Sequence, residues 1–285
     1  VYPAGHPVAA PTYPWQRERH WLDLPPARRR ASRTFLGRPA PLAPGETRRF
    51  THDLAQHPWL ADHRLGDAVL IPASVALEAA LAAGESALGG PVALHDVRFD
   101  APYFPGAAPW DFEIAVTGAD DGATFVARSP SGPLAHGRIR PADAPLLPPP
   151  PVDCAPSRTA AEFYADLARR GLGYGPAFQG VRALALGDGA VQAELAVPDA
   201  IAGDLAGTLA HPAVLDAALH FVSAALLADD RSTWLPVGLG RLHVAAPLRG
   251  SMRATARVTR QADAVTAAPW LPPPAAPPIA SLEAL

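Results

Sequence analysis

Cysteine is nearly absent from this chain, with Cys154 the single one among 285 residues. One thiol cannot form an internal disulfide or a cysteine metal cluster. Its place in a proline-rich stretch marks it as an inert thiol of a cytoplasmic protein. Long apolar runs are missing too. No stretch approaches the roughly 18 consecutive apolar residues of a membrane helix, yet apolar residues make up 49% of the chain. That content therefore belongs to a globular core. The N-terminal residues lack the basic-then-apolar pattern of a secretion signal. Neither sign of charge is in large excess, and a formal net −3 gives no reason to expect nucleic acid or an anionic membrane as partner. Ligand spacing for zinc is also lacking, because His57, His63, His95 and His136 do not fall near carboxylates at the intervals zinc enzymes use. The expectation is a cytoplasmic protein of one large or two modest domains, binding no nucleic acid, membrane or metal.

Proline is what the chain has in excess. Its 35 prolines are about 12% of the residues, against a usual level of ~5%, and they cluster. Residues 1–44 are rich in proline and arginine without sustained periodicity, and on their own read as a flexible basic tail. Residues 141–158 contain Leu146-Leu147-Pro148-Pro149-Pro150-Pro151. Consecutive prolines favour an extended conformation and supply no ladder donors, so this stretch is expected to connect two packed parts. A third cluster, 261–285, is expected to be an irregular tail, because proline argues against a central strand running through it; either the second sheet ends early or Pro278 to Leu285 returns as a short edge strand.

Between these clusters each part reads as strands around one long helix. In the first, residues 73–88 form a helix with Pro72 at its start and Leu77, Leu81 and Leu88 on one face. Phe112, Ile114 and Val116 alternate with Glu113, Ala115 and Thr117, a strand with one buried face. In the second, Thr159 and Glu162 fit a capping box opening a helix that Gly171 stops. Residues 191–197 and 252–259 alternate as strands. A long helix begins near Pro212, with Leu215, Ala218, Leu219, Val222 and Leu226 as its apolar stripe. Periodicity alone licenses an α+β class with sheet wrapped on helices.

The chemistry concentrates in short segments. Asp62-His63-Arg64-Leu65-Gly66-Asp67-Ala68-Val69-Leu70-Ile71-Pro72 lies in the first part, and His211-Pro212-Ala213-Val214-Leu215-Asp216-Ala217-Ala218-Leu219-His220 in the second. One imidazole and one carboxylate from separate parts suit removal of a proton and a hydroxyl from neighbouring carbons. Histidine suits the base, because its ordinary pKa near ~6.5 leaves the neutral form dominant at pH 7. Aspartate acts as an acid only where its neutral form is favoured. The apolar stripe beside Asp216 favours that form and the nearby helix N-terminus favours the charged one, so the sequence leaves both open. His220 shares the helix face of Asp216 one turn on. In Tyr174-Gly175-Pro176-Ala177-Phe178-Gln179-Gly180 the glycines and proline make a tight turn that brings backbone near a ligand, and Tyr174 offers a phenol to a substrate hydroxyl. Each of these also has a structural reading: a satisfied histidine, a helix-face pair, a turn with a core tyrosine.

With these residues the sequence resembles the dehydratase domain of modular type I polyketide synthases. That family's signatures are H-x-x-x-G-x-x-x-x-P, D-x-x-x-Q/H and Y-G-P-x-F-Q-G. His63 and Pro72 match the first, with Asp67 at the glycine position. Asp216 and His220 match the second, and Tyr174 to Gly180 the third. Residues 11–22 are similar to the linker that follows an acyltransferase domain, so 1–44 would be that linker. The resemblance covers roughly 45–260. It implies a double hotdog, with an N-terminal hotdog over 45–140, the connector 141–158 and a C-terminal hotdog over 159–285.

The implied reaction is elimination of water from a 3-hydroxyacyl thioester to give the 2-enoyl product, with His63 as base, Asp216 as acid and His220 orienting the aspartate. Tyr174, Gly175, Pro176, Asp67 and Pro72 would surround the substrate. No cofactor is implied, since the substrate arrives on the phosphopantetheine arm of an acyl carrier protein. Partners would be that carrier and the other synthase domains in cis, with the domain a homodimer. A pyran-forming cyclase of the same fold and an inactive scaffold are the alternatives; a thioesterase is weaker, on fold grounds only. Asp67 bears on activity. Glycine there lets backbone approach closely, with its N–H aimed at the thioester carbonyl. Aspartate keeps that N–H, but a carboxylate facing His63 would stabilise imidazolium and weaken the base. A carboxylate facing solvent, with Gly66 taking the turn, changes little.

Overall fold

The first part lays five strands on one long helix. A computed structural model of the chain describes residues 42–106, 110–142, 152–226, 235–261, 264–271 and 280–283, all within one unit, Ala31–Leu285. In chain order the first part holds β1 (Thr47–Asp53), β2 (His63–Leu65), β3 (Ala68–Val69), α1 (Ala73–Leu88), β4 (Val92–Phe99), β5 (Asp111–Ala119), β6 (Gly122–Ser129) and β7 (Gly132–Pro141). Strands β1, β5, β6, β7 and β4 are neighbours in that order. The period-two pattern of β5 does what it predicts, with Phe112, Ile114 and Val116 buried. Their face packs on α1, which also touches β4, β6 and β7. The helix is apolar nearly all round rather than on one stripe. Leu77 and Leu81 are fully buried, and Ala76, Ala79, Ala80, Ala82 and Ala83 are buried with them. A helix covered on every side belongs at a core centre, and its alanines let neighbours close on it.

The second part holds β8 (Ala155–Thr159), α2 (Ala160–Arg169), β9 (Leu172–Tyr174), β10 (Val181–Gly187), β11 (Ala190–Ala196), α3 (Pro212–His220), β12 (Gly238–Val244), β13 (Ser251–Gln261), β14 (Ala264–Leu271) and β15 (Ala280–Glu283). The capping box is real. The Glu162 N–H donates to the Thr159 hydroxyl (3.3 Å), and the Thr159 N–H donates to the Glu162 carboxylate (2.8 Å). Strand order continues from β4 through β12, β15, β14, β13, β11 and β10 to β8, so one twelve-stranded sheet crosses both parts. The β4–β12 pairing, from Gly238 opposite Arg98 to His243 opposite Ala93, is the seam. Helix α3 packs on β11 and against α1. Two sheet halves, each around its own helix and fused edge to edge, are the double hotdog that the resemblance implies.

Three expectations need adjusting. The stripe from Leu215 to Leu226 predicts one long helix, but α3 ends at His220 and a 3-10 turn takes Phe221–Ala225. The Ser223 hydroxyl donates to the His220 carbonyl (2.6 Å) and so competes for an acceptor the α-helical ladder uses. Second, β14 and β15 run through the 261–285 region expected to be irregular; a short strand does return within 278–285, but β15 lies between β12 and β14 and not at an edge. Pro269 sits opposite Ala256 of β13, while β14 meets β15 only at Trp270 and Leu271. At Pro269 the strand has a registered neighbour on one side only, which is where proline is tolerated. Third, part of the expected connector is ordered, since Ala155–Thr159 pairs with β10 as β8. The remainder of that connector (143–151) and the proposed linker up to residue 41 lie outside the described residues. No described helix is long and apolar enough to cross a membrane.

Buried ionisable groups away from the sheet seam give the fold a pH optimum. Burial, and then the charge of His57, pushes His52 down to about 4; burial, His57 and Arg249 push His211 down to about 4. Burial lowers His57 as well, against Asp204 and Asp53. Burial pushes Glu78 up to about 8 even though the Leu209 and Ala210 N–H groups donate to its carboxylate at 2.9 Å each. Below the ordinary histidine value of 6.5 the unfolded chain takes up protons that the folded imidazoles refuse. Stability therefore falls from pH 6.5 toward 4, by at most about 3 kcal/mol for each of His52 and His211. Glu78 acts in the opposite sense, costing stability as pH rises from 4.5 to about 8. The melting temperature is expected to peak near pH 6.5, with the steeper loss on the acid side. A melt series from pH 4 to 8.5 tests this, and a flat profile across that range contradicts it.

Candidate active site

His63 opens β2, and hairpin geometry fixes its ring. Strands β2 and β3 pair Arg64 with Val69 and Leu65 with Ala68, leaving Gly66 and Asp67 as a two-residue turn. Such tight turns call for a positive φ that L-residues resist. Gly66 supplies it at +58°, while Asp67 is not among the described positive-φ residues. Asp67 is exposed, its carbonyl accepts from the Arg64 guanidinium (2.9 Å), and its side chain is at the solvent side of the turn. The turn is thus taken by the glycine next to the family position. At the other end of the hairpin the Leu70 N–H donates to the His63 carbonyl (3.0 Å), and His63 Nδ1 lies 2.6 Å from the Leu70 carbonyl. A carbonyl only accepts, so Nδ1 carries the ring proton and Nε2 is left with its lone pair.

That lone pair faces Asp216. The imidazole is buried, edge-on to Tyr174 (ring centroids 5.3 Å) and against Phe178 (5.1 Å). Its Nε2 is 3.9 Å from Oδ2 of Asp216, a buried carboxyl on α3. His220, one turn along, approaches the same oxygen through Nδ1 at 2.9 Å. The two halves of the chain therefore deliver one base-capable nitrogen and one carboxyl oxygen to a single spot, and His220 holds the carboxyl from behind.

Strand β9 carries Tyr174 into the site by pairing it with His63 across the three-stranded sheet β3-β2-β9. Its ring lies 4.5 Å from that of His220 and 5.9 Å from that of Tyr164. Burial, then the negative charge of Asp216 and the neighbouring Tyr164, hold the Tyr174 phenol well above its usual range. It stays an O–H donor at any physiological pH. Gly175 and Pro176 act on the junction between the parts. The Gly175 N–H donates to the Asp62 carbonyl (2.7 Å), and the Ala177 N–H donates to the Asp62 carboxylate (2.9 Å). A 3-10 turn, Pro176–Phe178, follows. Pro72 sits at the N-terminal cap of α1 in extended conformation, setting the helix entry rather than the proton-transfer atoms.

Sequence reasoning missed two residues of this site. Asp62 is visible only as the neighbour of His63, and its partners lie more than a hundred positions away. Tyr164 is on α2, where it reads as part of an apolar face with Phe163 and Leu167. A buried tyrosine needs a partner for its hydroxyl, and that was the available signal. The Tyr164 hydroxyl meets the Phe178 carbonyl (3.2 Å), the Val181 N–H (2.9 Å) and Nε2 of His220 (3.3 Å).

The model for the polyketide synthase dehydratase domain matches residues 34–129, and that described as the polyketide synthase dehydratase N-terminal domain matches 142–268. The spectinabilin polyketide synthase system protein NorA' of Streptomyces orinoci is 38% identical over 242 residues, 75% of this chain and 6% of that protein. Erythronolide synthase EryA2 of Saccharopolyspora erythraea is 32% identical over 282 residues, 88% of this chain and 8% of that protein. The chain thus spans less than a tenth of the length of these relatives. The dehydratase domain from the CurF module of curacin polyketide synthase superposes with a TM-score of 0.76 at 27% identity, covering 89% of this chain and 98% of that domain.

Proposed function

The chain belongs to the polyketide synthase dehydratase family, and from that premise we propose that it removes water from a 3-hydroxyacyl thioester carried by an acyl carrier protein, working beside other synthase domains in cis. One observation supports this above the others. The bare Nε2 of His63 and Oδ2 of Asp216 stand 3.9 Å apart in a buried site, a spacing suited to neighbouring carbons.

His63 Nε2 takes the proton from the carbon next to the thioester carbonyl. The electron pair of that C–H bond becomes the second bond of the alkene, and the bond from the β-carbon to its hydroxyl breaks. The departing oxygen takes the proton of the Asp216 carboxyl and leaves as water. His63 is then imidazolium and Asp216 carboxylate. Their short separation lets the proton return and restores both for the next substrate. The protonated Tyr174 phenol beside His63 supports orientation of the β-hydroxyl by hydrogen bonding. Nothing in the step calls on a group beyond the substrate and these side chains.

Mass spectrometry of carrier-bound 3-hydroxyacyl thioester incubated with the folded protein tests this, loss of one water being the expected result. An unchanged thioester would support a scaffold instead, and a cyclic ether product the cyclase reading. Because Gly66 supplies the positive φ and Asp67 is exposed, Asp67→Gly is expected to change turnover by less than about threefold, the scale of a surface substitution of roughly 0.5 kcal/mol. A gain of a hundredfold or more would instead mark Asp67 as the residue that restrains the site.

A further inference from the structure

We propose that Tyr164 is a positioning residue that keeps a proton on the Asp216–His220 pair, and so maintains Asp216 as an acid. The inference rests on the dehydratase reading for its consequence but not for its geometry. A phenol has one proton to give and two lone pairs to accept with. Three groups surround the Tyr164 oxygen: the Phe178 carbonyl at 3.2 Å, the Val181 N–H at 2.9 Å and His220 Nε2 at 3.3 Å. Only one assignment makes all three into hydrogen bonds. The carbonyl accepts the phenol proton, the Val181 N–H donates to one lone pair, and Nε2–H of His220 donates to the other. The reverse orientation, phenol to His220, would set the Phe178 carbonyl against the phenol oxygen with no proton between them in a buried site.

The consequence passes through the ring. With Nε2 protonated, a neutral His220 presents a bare Nδ1 to Asp216 Oδ2 at 2.9 Å. That contact is a hydrogen bond only if a proton sits within it, on the carboxyl or on the nitrogen. In either position the pair holds one proton more than a carboxylate beside a neutral Nδ1–H imidazole would hold. Burial favours the neutral partition, with the proton on oxygen. That is the proton the leaving hydroxyl needs. The groups facing the pair are His63 from β2, Tyr174 from β9 and Tyr164 from α2. Arg182 acts on Tyr164 at longer range. Both phenols stay protonated, Tyr164 being pushed far up by burial, so neither adds negative charge to compete with Asp216.

Nitrogen-15 NMR of the histidine-labelled protein, with the His220 signals identified from a His220→Gln spectrum, tests the assignment without any turnover. In the wild type, Nε2 of His220 is expected to be protonated at pH 7. A bare Nε2 with the proton on Nδ1 overturns the proposal. In Tyr164→Phe the ring is expected to switch to the Nδ1–H form, with kcat falling about tenfold, a part of the ~10²–10⁴-fold that a positioned acid contributes, and KM within about twofold. A raised KM with unchanged kcat, or an unchanged tautomer, overturns it as well. A protein that dehydrates nothing but shows the expected tautomer would sink the functional reading and leave this one standing. The wild-type spectrum keeps the test valid even if Tyr164→Phe proves unstable.

Discussion

Replacing His63 by alanine, or Asp216 by asparagine, is expected to lower kcat for dehydration by on the order of 10³-fold each, the middle of the range for a positioned base or acid. The two replacements differ in what they leave behind. His63→Ala removes the donor to the Leu70 carbonyl and leaves a buried acceptor, so it is also expected to cost about 1–3 kcal/mol of stability. Asp216→Asn keeps the shape of the side chain and its contact with His220 while removing the transferable proton. Its melting temperature is expected to stay near that of the wild type. Because the two groups act on one transition state, the double variant should fall little below the worse single one. Carrier-bound substrate followed by mass spectrometry, with a melt for each variant, gives both numbers. Multiplicative losses near 10⁶ in the double variant would mean that the groups act in separate steps, against a concerted role.

Gly175→Ala is the second large effect, and it acts away from the reacting atoms. Gly175 has an ordinary φ of −75°, so backbone strain is not the issue. The difficulty is space: a Cβ there would lie 2.5 Å from Cγ and 2.6 Å from Oδ1 of Asp62. That carboxylate cannot move freely, because it accepts the Ala177 N–H and its own residue's carbonyl accepts the Gly175 N–H. Displacing it releases the latch that joins the His63 segment to the Tyr174 segment. Loss of a charge-assisted bond predicts about 2 kcal/mol of destabilisation. The shift of Tyr174 against His63 predicts a fall in kcat of roughly 10²-fold, as expected for a displacement near 1 Å. Combining it with Asp62→Ala separates the causes. The alanine removes the two closest contacts, with Cγ and Oδ1, along with the bond, and leaves only Cβ at 2.8 Å, so the double variant should lose less than the sum of the single losses. Additive losses would place the effect of Gly175 outside its contact with the Asp62 carboxylate.

Much of this molecule was legible from residues close together in sequence. Helix α1, the capping box of α2 and the alternating strands β5, β11 and β13 follow from local periodicity and side-chain chemistry, which neighbours in sequence determine. So does the relation of Asp216 to His220, because four residues on a helix place two side chains on one face wherever that helix goes. The chain also determined by itself the candidates for base, acid and phenol, since His63, Asp216 and Tyr174 stand within segments that carry the family's signatures. At the hairpin, residue type already favours the observed turn, since a positive φ costs glycine least and Gly66 takes it beside an exposed Asp67.

Tertiary structure alone decided the rest. Periodicity predicted a continuous helix through Leu226, but a single Ser223 hydroxyl bonding to the His220 carbonyl accompanies its change to a 3-10 turn, a competition that an apolar stripe does not register. Proline counting predicted an irregular end. The fold accommodates Pro269 because that part of β14 has one registered neighbour, a fact of sheet order and not of composition. The 3.9 Å approach of His63 to Asp216, the Asp62 latch and the hydroxyl of Tyr164 all join positions far apart in the chain. Residue type and spacing specify what each side chain can donate or accept; which partner it meets depends on how two sheets close around two helices, and only that closure decides where the proton goes.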